Sequence, residues 1–242
     1  MAADSQGKWP KAAYTAGNAG VLLVGHSAQH GIPAALFGGR FYTGKRIYAY
    51  TDFGGGVDCK KGETPQHAAF REFAEELLAQ DGAEARATAS RLCQATASAL
   101  VGGRPFVHKN YVMFVVSAEA VVEALRLPCV AEGRSAIDFM FASARCNSEL
   151  SSVAIVSLEE VLRGASSDGL VCPLSVRQLD GKERDSCEIQ LRKVMVGGGG
   201  SIMAIRKVLE GFIDHPVQAQ SSTSLQPGQT NVAAAAAAAA AA

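Results

Sequence analysis

The sequence predicts an α/β fold in which a mixed β-sheet is sandwiched by helices. Three observations point there. Apolar runs of strand length recur at 19–25, 34–42, 108–118 and 152–158. Helical patterns stand among them at 65–80, 118–127 and 201–213. The two kinds intermix without strict strand–helix–strand alternation, so the sheet is expected to be mixed.

Taken in order, residues 1–16 read as a flexible polar arm. AGVLLVG (19–25) and AALFGGRFY (34–42) read as strands, with HSAQHGIP turning between them. RIYAYTDF (46–53) reads as a further extended segment that leads into three glycines. The helix at 65–80 opens well: Thr64 is a good N-cap, and Pro65 suits the first helical position, where a missing N–H costs nothing. The small residues of 87–102 fit either a strand or a weak helix. HKNYVMFVVSA (108–118) is a buried strand, and 118–127 a helix. SVAIVSL (152–158) is a strand, and Ser157 caps a helix that Gly164 closes. Residues 201–213 place Ile202, Ile205, Val208, Leu209 and Phe212 on one helical face. From 216 to 242 the chain is Gln, Ser, Thr and Pro followed by polyalanine, a low-complexity tail expected to be disordered. The domain is therefore expected to span 17–215.

The 242 residues suffice for one domain with a sizeable core plus tails. Basic and acidic residues number 23 each, so no global charge argues for a nucleic-acid or membrane coat. Six cysteines at 59, 93, 129, 146, 172 and 187 form no Cys-x-x-Cys pair and no zinc spacing. Together with an N-terminal stretch that lacks the apolar core of a secretory signal, this predicts an intracellular protein, cytoplasmic or nuclear, with reduced thiols. No run is long and apolar enough for a membrane span. Oligomeric state is not readable.

The stretch DFGGGVDCKKGETPQHAAFREFAEELL (52–78) carries the chemistry. At helical steps of about 100° per residue, Phe70, Phe73, Ala74, Leu77 and Leu78 form a core stripe. Glu72, Glu75 and Glu76 cluster on the opposite side. Like charges at these spacings repel by a few tenths of a kcal/mol per pair, roughly. Such a cluster is either a solvated acidic face or a site for a cation. Arg71 can pair with Glu75 or reach back to Glu63, and the glycines allow a backbone carbonyl to approach an ion. Hard divalent ions take several oxygen ligands of this kind.

These residues resemble the Nudix box: Gly, five residues, Glu, seven residues, Arg-Glu, an apolar residue, one more, Glu-Glu, one more, Gly and an apolar residue. Glu63, seven residues, Arg71-Glu72, apolar Phe73 and Glu75-Glu76 match in full. Two positions depart. Six residues rather than five separate Gly56 from Glu63, and Leu78 stands where the pattern has Gly, so the helix is expected to run on toward Gly82. The resemblance implies a Nudix-type α/β/α sandwich and a hydrolase that uses Mg²⁺ or Mn²⁺ to cleave a pyrophosphate linkage. It implies Glu72 and Glu76 as chief metal ligands, and Glu75 as proton acceptor or further ligand. Glu63 and Arg71 would form the ion pair tying loop to helix. Gly55, or Gly56 given the insertion, would offer a carbonyl to the metal. Some members add a later loop carboxylate, a place that Glu149 suits; an ordinary surface Glu is the other reading.

Lys60 and Lys61 in the box loop, with Arg40, Lys45 and Arg46 nearby, read either as solvated side chains or as a cationic rim for several phosphates. A rim favours a dinucleoside polyphosphate, a diphosphoinositol polyphosphate or a capped RNA end as substrate. Nucleotide sugars and oxidised nucleotides stay open. The alternative is a Nudix-fold module that binds a ligand or protein without catalysis; three intact carboxylates speak against it. Gly39 to Lys45 contains most of a phosphate-binding P-loop, but Arg46 replaces the required Ser or Thr and the segment lies between strands, so a hairpin turn is expected. VGGGGS (196–201) reads as a linker. His26, His30, His67, His108 and His215 stand isolated.

Overall fold

The computed structural model describes residues 9–128, 134–182, 184, 187–193, 195–196 and 200–214. In chain order the elements are α1 (Ala12–Thr15), β1 (Asn18–Ser27), β2 (Ile32–Tyr42), β3 (Ile47–Thr51), β4 (Phe53–Gly56), α2 (Pro65–Leu77) and α3 (Gly82–Ala99). They continue with β5 (Phe106–His108), β6 (Tyr111–Ser117), α4 (Ala118–Leu125), α5 (Ala136–Ser143), β7 (Ser152–Ser157) and α6 (Leu158–Ala165). The last are β8 (Leu170–Val171), β9 (Ser175–Gln178), β10 (Ile189–Gln190), α7 (Ser201–Ala204) and α8 (Arg206–Asp214).

The main sheet runs β5-β6-β1-β2-β7-β9, with β3 on β2 and β4 on β1. It is mixed: β1 and β6 pair parallel, the other pairs antiparallel. Alternation along each strand sends side chains to two separate cores. Val21, Leu23, Leu36, Phe114, Val116 and Ile155 pack with Phe70, Phe73 and Leu77 of α2 and with α3, α4 and α5. Leu22, Val24, Phe37, Met113, Val115 and Val156 pack with α6, α7 and α8. The sheet thus has helices on both faces, which is why its strands read as unbroken apolar runs. Each buried Phe or Leu contributes about 1.5–3 kcal/mol.

One feature of the sheet positions the site. β1 and β2 pair only from Leu23–Ser27 with Ile32–Leu36. Beyond that they diverge: Asn18–Val21 of β1 takes β4, and Gly38–Tyr42 of β2 takes β3. The segment expected as one extended run at 46–53 is therefore two strands broken at Asp52, and it fills the fork. Asp52 is buried there, its carboxylate accepting hydrogen bonds from the Thr51 and Tyr111 hydroxyls. The hairpin expected at 39–46 is present, closed by a single 3-10 turn over Thr43–Lys45.

Other expectations change. The 65–80 helix does not run on toward Gly82; it ends at Leu77, because Ala79 takes a left-handed φ of +53°. The ambiguous 87–102 stretch is helical to Ala99, as part of α3. Residues 9–16 are not a loose arm: Trp9 stacks on Tyr14 and meets Phe114 edge-on, each at 5.9 Å, and Ala13 and Ala16 are buried. The 201–213 helix divides at Ile205. Helix α5 carried no sequence signal that was read. The low-complexity tail, most of the glycine linker, Cys129 and His215 lie outside the described residues. Among those described, no helix is long and apolar enough to cross a membrane.

Candidate functional site

Helix α2 starts as its sequence dictates. Thr64 Oγ1 accepts from the His67 amide at 3.2 Å, and Pro65 occupies the first turn. Its apolar stripe locks onto the sheet, and the opposite side faces β4 and two loops. Arg71 is the hub of the loop side. Its guanidinium grips Glu63 through Nε at 2.7 Å and Nη2 at 3.2 Å. Nη1 donates to Glu72 and to Glu75, each at 2.8 Å, and Nη2 to the Gly56 carbonyl at 3.1 Å. Glu63 also accepts from the Asp58 amide at 2.9 Å, which ties the box loop to the helix.

Arg40, from β2, is a second hub. Its Nη1 donates to Glu76 at 2.7 Å and to Glu149 at 2.8 Å. Its Nε donates to the Tyr42 hydroxyl at 2.9 Å and Nη2 to the Gly54 carbonyl at 3.3 Å. Glu76 accepts in addition from the Gly54 amide at 3.1 Å. Glu149 reaches this place through Asn147. The Asn147 side-chain amide donates to the carbonyls of Glu75 (3.0 Å) and Glu76 (2.7 Å), which the helix end leaves without intrahelical partners. Its side-chain oxygen accepts from the amides of Glu149 (2.9 Å) and Leu150 (2.7 Å). Asn147 thereby fastens the 147–150 turn to the end of α2. As a result Glu72, Glu76 and Glu149 each present a carboxylate oxygen within 4.8 Å of the others. This cluster of three acidic side chains, one buried, one half-buried and one exposed, could hold a metal ion.

Burial sets the electrostatics. Desolvation pushes the Glu76 carboxyl up to about 8; Arg40 opposes the rise, and Glu149, Glu72 and Asp52 add to it. Glu72 is raised for the same first reason, with Arg71 opposing and the charges of Glu75 and Glu149 adding. For Glu63 burial also works against the charge, but the Arg71 hydrogen bonds and the Asp58 amide outweigh it and bring the group down to about 2. The Glu63–Arg71 clasp thus stays ionised, while burial makes charge on Glu72 and Glu76 costly.

The glycines divide by position. A Cβ on Gly55 would lie 2.5 Å from the Glu72 carboxylate carbon, so a side chain there would push that carboxylate from its place. A Cβ on Gly56 would meet open space. Lys60 and Lys61 are exposed on a short turn, and Lys61 pairs with Asp58 at 2.8 Å. They lie on the Glu63 side of Arg71. There a cleft of about 570 Å³ is lined by Lys61, Glu63, His67, Arg71, Glu75 and Arg86. His67 is not isolated, as its sequence position suggested: it lies 3.4 Å from both Glu63 and the Ser90 hydroxyl. That hydroxyl donates to the Arg86 carbonyl at 3.0 Å, an ordinary helix-surface bond.

Two further clefts meet at Glu149. One, of about 350 Å³, is lined by Glu72, Glu75, Glu76, Gln80 and Glu149 among others. The other, of about 590 Å³, lies between the β2–β3 hairpin and the 147–151 and 180–184 segments; its lining includes Phe41, Lys45, Glu149, Lys182 and Arg184. Sequence reading missed Asn147, Lys182 and Arg184. None stands near the box in the chain, and Asn147 has no recognisable signal beyond lying two residues before Glu149. Comparison with models of known protein families and with curated protein sequences finds no match for the chain.

Proposed function

We propose that this chain is a metal-dependent hydrolase of Nudix type. It would cleave a pyrophosphate linkage in a nucleoside diphosphate derivative or a related polyphosphate. One observation carries the reading: the helix bearing Arg-Glu-x-x-Glu-Glu brings Glu72 and Glu76 to Glu149, a carboxylate from a remote loop, with donor oxygens within 4.8 Å. The donor set is all oxygen and anionic, which fits a hard divalent cation rather than zinc or copper. The raised carboxyls of Glu72 and Glu76 support the fit, since a cation would relieve what makes their charge costly.

Mg²⁺ or Mn²⁺ would be held by Glu72, Glu76 and Glu149, with the Gly55 backbone beside them. When bound, the ion neutralises phosphate charge and polarises the linkage. The chain's own groups do the rest. Arg71 fixes the rotamers of Glu72 and Glu75 from one side, and Arg40 fixes Glu76 and Glu149 from the other. Glu75 is a third exposed and lines the acidic cleft, so it can accept a proton from an attacking water. The partner is a small polyphosphate or nucleotide; a capped RNA end is the larger member of the same class.

The test is phosphate or nucleotide release from a polyphosphate panel with and without Mg²⁺, run with Glu72→Gln and Glu76→Gln. Metal-dependent turnover that both variants abolish is expected. If the wild-type protein binds Mg²⁺ and a polyphosphate but turns over no member of the panel, a non-catalytic binding module replaces the hydrolase. If it binds no divalent ion at all, both readings fall.

A further inference from the structure

The 590 Å³ cleft has a charge pattern that the acidic cluster does not require. Six charged side chains line it: Arg40, Lys45, Glu149, Asp180, Lys182 and Arg184. Four are committed to one another. Arg40 bonds Glu149 and Glu76. Arg184 grips Asp180 through both carboxylate oxygens, at 2.9 and 2.5 Å, and lies 4.4 Å over the Tyr48 ring. That leaves Lys45 and Lys182, both exposed and without an ion-pair partner among the described residues.

Each lysine stands on a tight turn that closes on itself. The Arg46 amide donates to the Thr43 carbonyl at 3.3 Å beneath Lys45. The Lys182 amide donates to Asp180 Oδ1 at 3.2 Å, after Gly181 at a φ of +70°. Two remote turns thus place exposed lysines in the lining of one cavity. The same wall carries Phe41, 54% exposed, an apolar face for the uncharged part of a ligand. The cavity shares Asn147, Ser148 and Glu149 with the acidic cleft, so one extended molecule can occupy both.

We infer that this cleft binds a further phosphoryl group of the substrate, beyond the linkage being cleaved, through Lys45 and Lys182. Chains of three or more phosphates are then preferred over two-phosphate substrates such as nucleotide sugars. The inference rests on the hydrolase reading for the word substrate, but the anion site itself does not.

The probe is inorganic tripolyphosphate, titrated calorimetrically into the full chain without divalent metal at low salt. Lys45→Ala/Lys182→Ala is expected to weaken binding about tenfold or more, and added salt to weaken the wild type, as for an anion held by lysines. Lys11→Ala/Lys207→Ala, two exposed lysines outside the clefts, serves as the matched control and should leave affinity unchanged. Both pairs are exposed, so thermal melts should match wild type. With Mg²⁺, the Lys45/Lys182 variant should raise KM about tenfold for a dinucleoside tetraphosphate, leave kcat intact and leave a nucleotide sugar unaffected. No tripolyphosphate binding by the wild type, or equal binding by the Lys45/Lys182 variant, overturns the inference even if turnover is found. Binding lost in that variant with no turnover of any substrate upholds the anion site and sinks the hydrolase reading instead.

Discussion

The two arginine hubs make an instructive pair. Arg71 binds Glu63, Glu72 and Glu75, all within eight residues of it along the chain. Arg40 binds Glu76 and Glu149, which lie 36 and 109 residues away. Both guanidiniums sit against three or more acceptors and both are partly buried, with side chains 15% and 18% exposed. They differ in what they hold. Arg71 stabilises carboxylates that one helix and one loop would bring near each other anyway. Arg40 stabilises a buried carboxylate and one that only the complete fold delivers. Local clasps follow from spacing, whereas the cluster that could bind a metal depends on the fork in the sheet and on a loop that closes over it.

Breaking each hub sharpens the contrast. Arg40→Ala should cost about 3 kcal/mol in urea unfolding at neutral pH, near the low end for a broken buried pair because Glu76 already carries a proton there. Arg71→Ala should cost less, about 1–2 kcal/mol, since none of its partners is as deeply buried as Glu76. Equal losses would erase the distinction. Glu75→Gln should lower turnover about a hundredfold if that carboxylate moves the proton, with Mg²⁺ affinity changed only a few-fold. An unaltered rate would remove Glu75 from the chemistry.

The Arg40 half also has a pH signature. Glu76 is held near 8 in the folded chain against an ordinary value of 4.5, burial being the main cause. Between those values the folded chain keeps a proton that the unfolded chain has released. The metal-free protein should therefore lose stability as pH rises through that window. A cation competes with the same proton, so Mg²⁺ affinity should rise by up to about tenfold per pH unit and level off near 8. Glu63 in the Arg71 half, brought down to about 2, adds stability above its ordinary 4.5 that is lost only on acidification. Calorimetric titration from pH 6 to 9 separates the two halves; a flat Mg²⁺ affinity over that range would contradict the role given to Glu76. Asn147→Ala is the smallest change. Losing its bonds to the two helix-end carbonyls and to the 149–150 amides should cost about 1–2 kcal/mol and weaken Mg²⁺ about tenfold through Glu149. Rescue by Asp at this position should be poor, because a carboxylate cannot donate to carbonyls.

Much of the fold was legible because its signals are local. The strands at 19–25, 108–118 and 152–158 carry apolar runs that bury both faces, and Thr64-Pro65 announces its own helix. The misreadings arose where tertiary contact overrides propensity. Ala79 adopts a left-handed conformation with no glycine to signal it; the small residues of α3, which the sequence left open between strand and weak helix, are helical and pack on α2 and α4. Trp9 looked like part of a polar arm, yet its ring finds Phe114. Of the candidate site, the spacing of Glu63, Arg71, Glu72, Glu75 and Glu76 was readable, since one helical turn brings i and i+4 together.

What the sequence determined by itself was which groups ride on one helix and which face of that helix is buried, because both follow from a 3.6-residue period and a capped start. What only the tertiary structure decided was the company those groups keep: Arg40 and Glu149 beside Glu76, Asn147 across the helix end, Lys45 and Lys182 lining one cleft. The reason is physical. A helix fixes neighbours through backbone geometry alone, whereas a contact between residues a hundred positions apart exists only once burial of the two cores has offset the entropy of bringing them together.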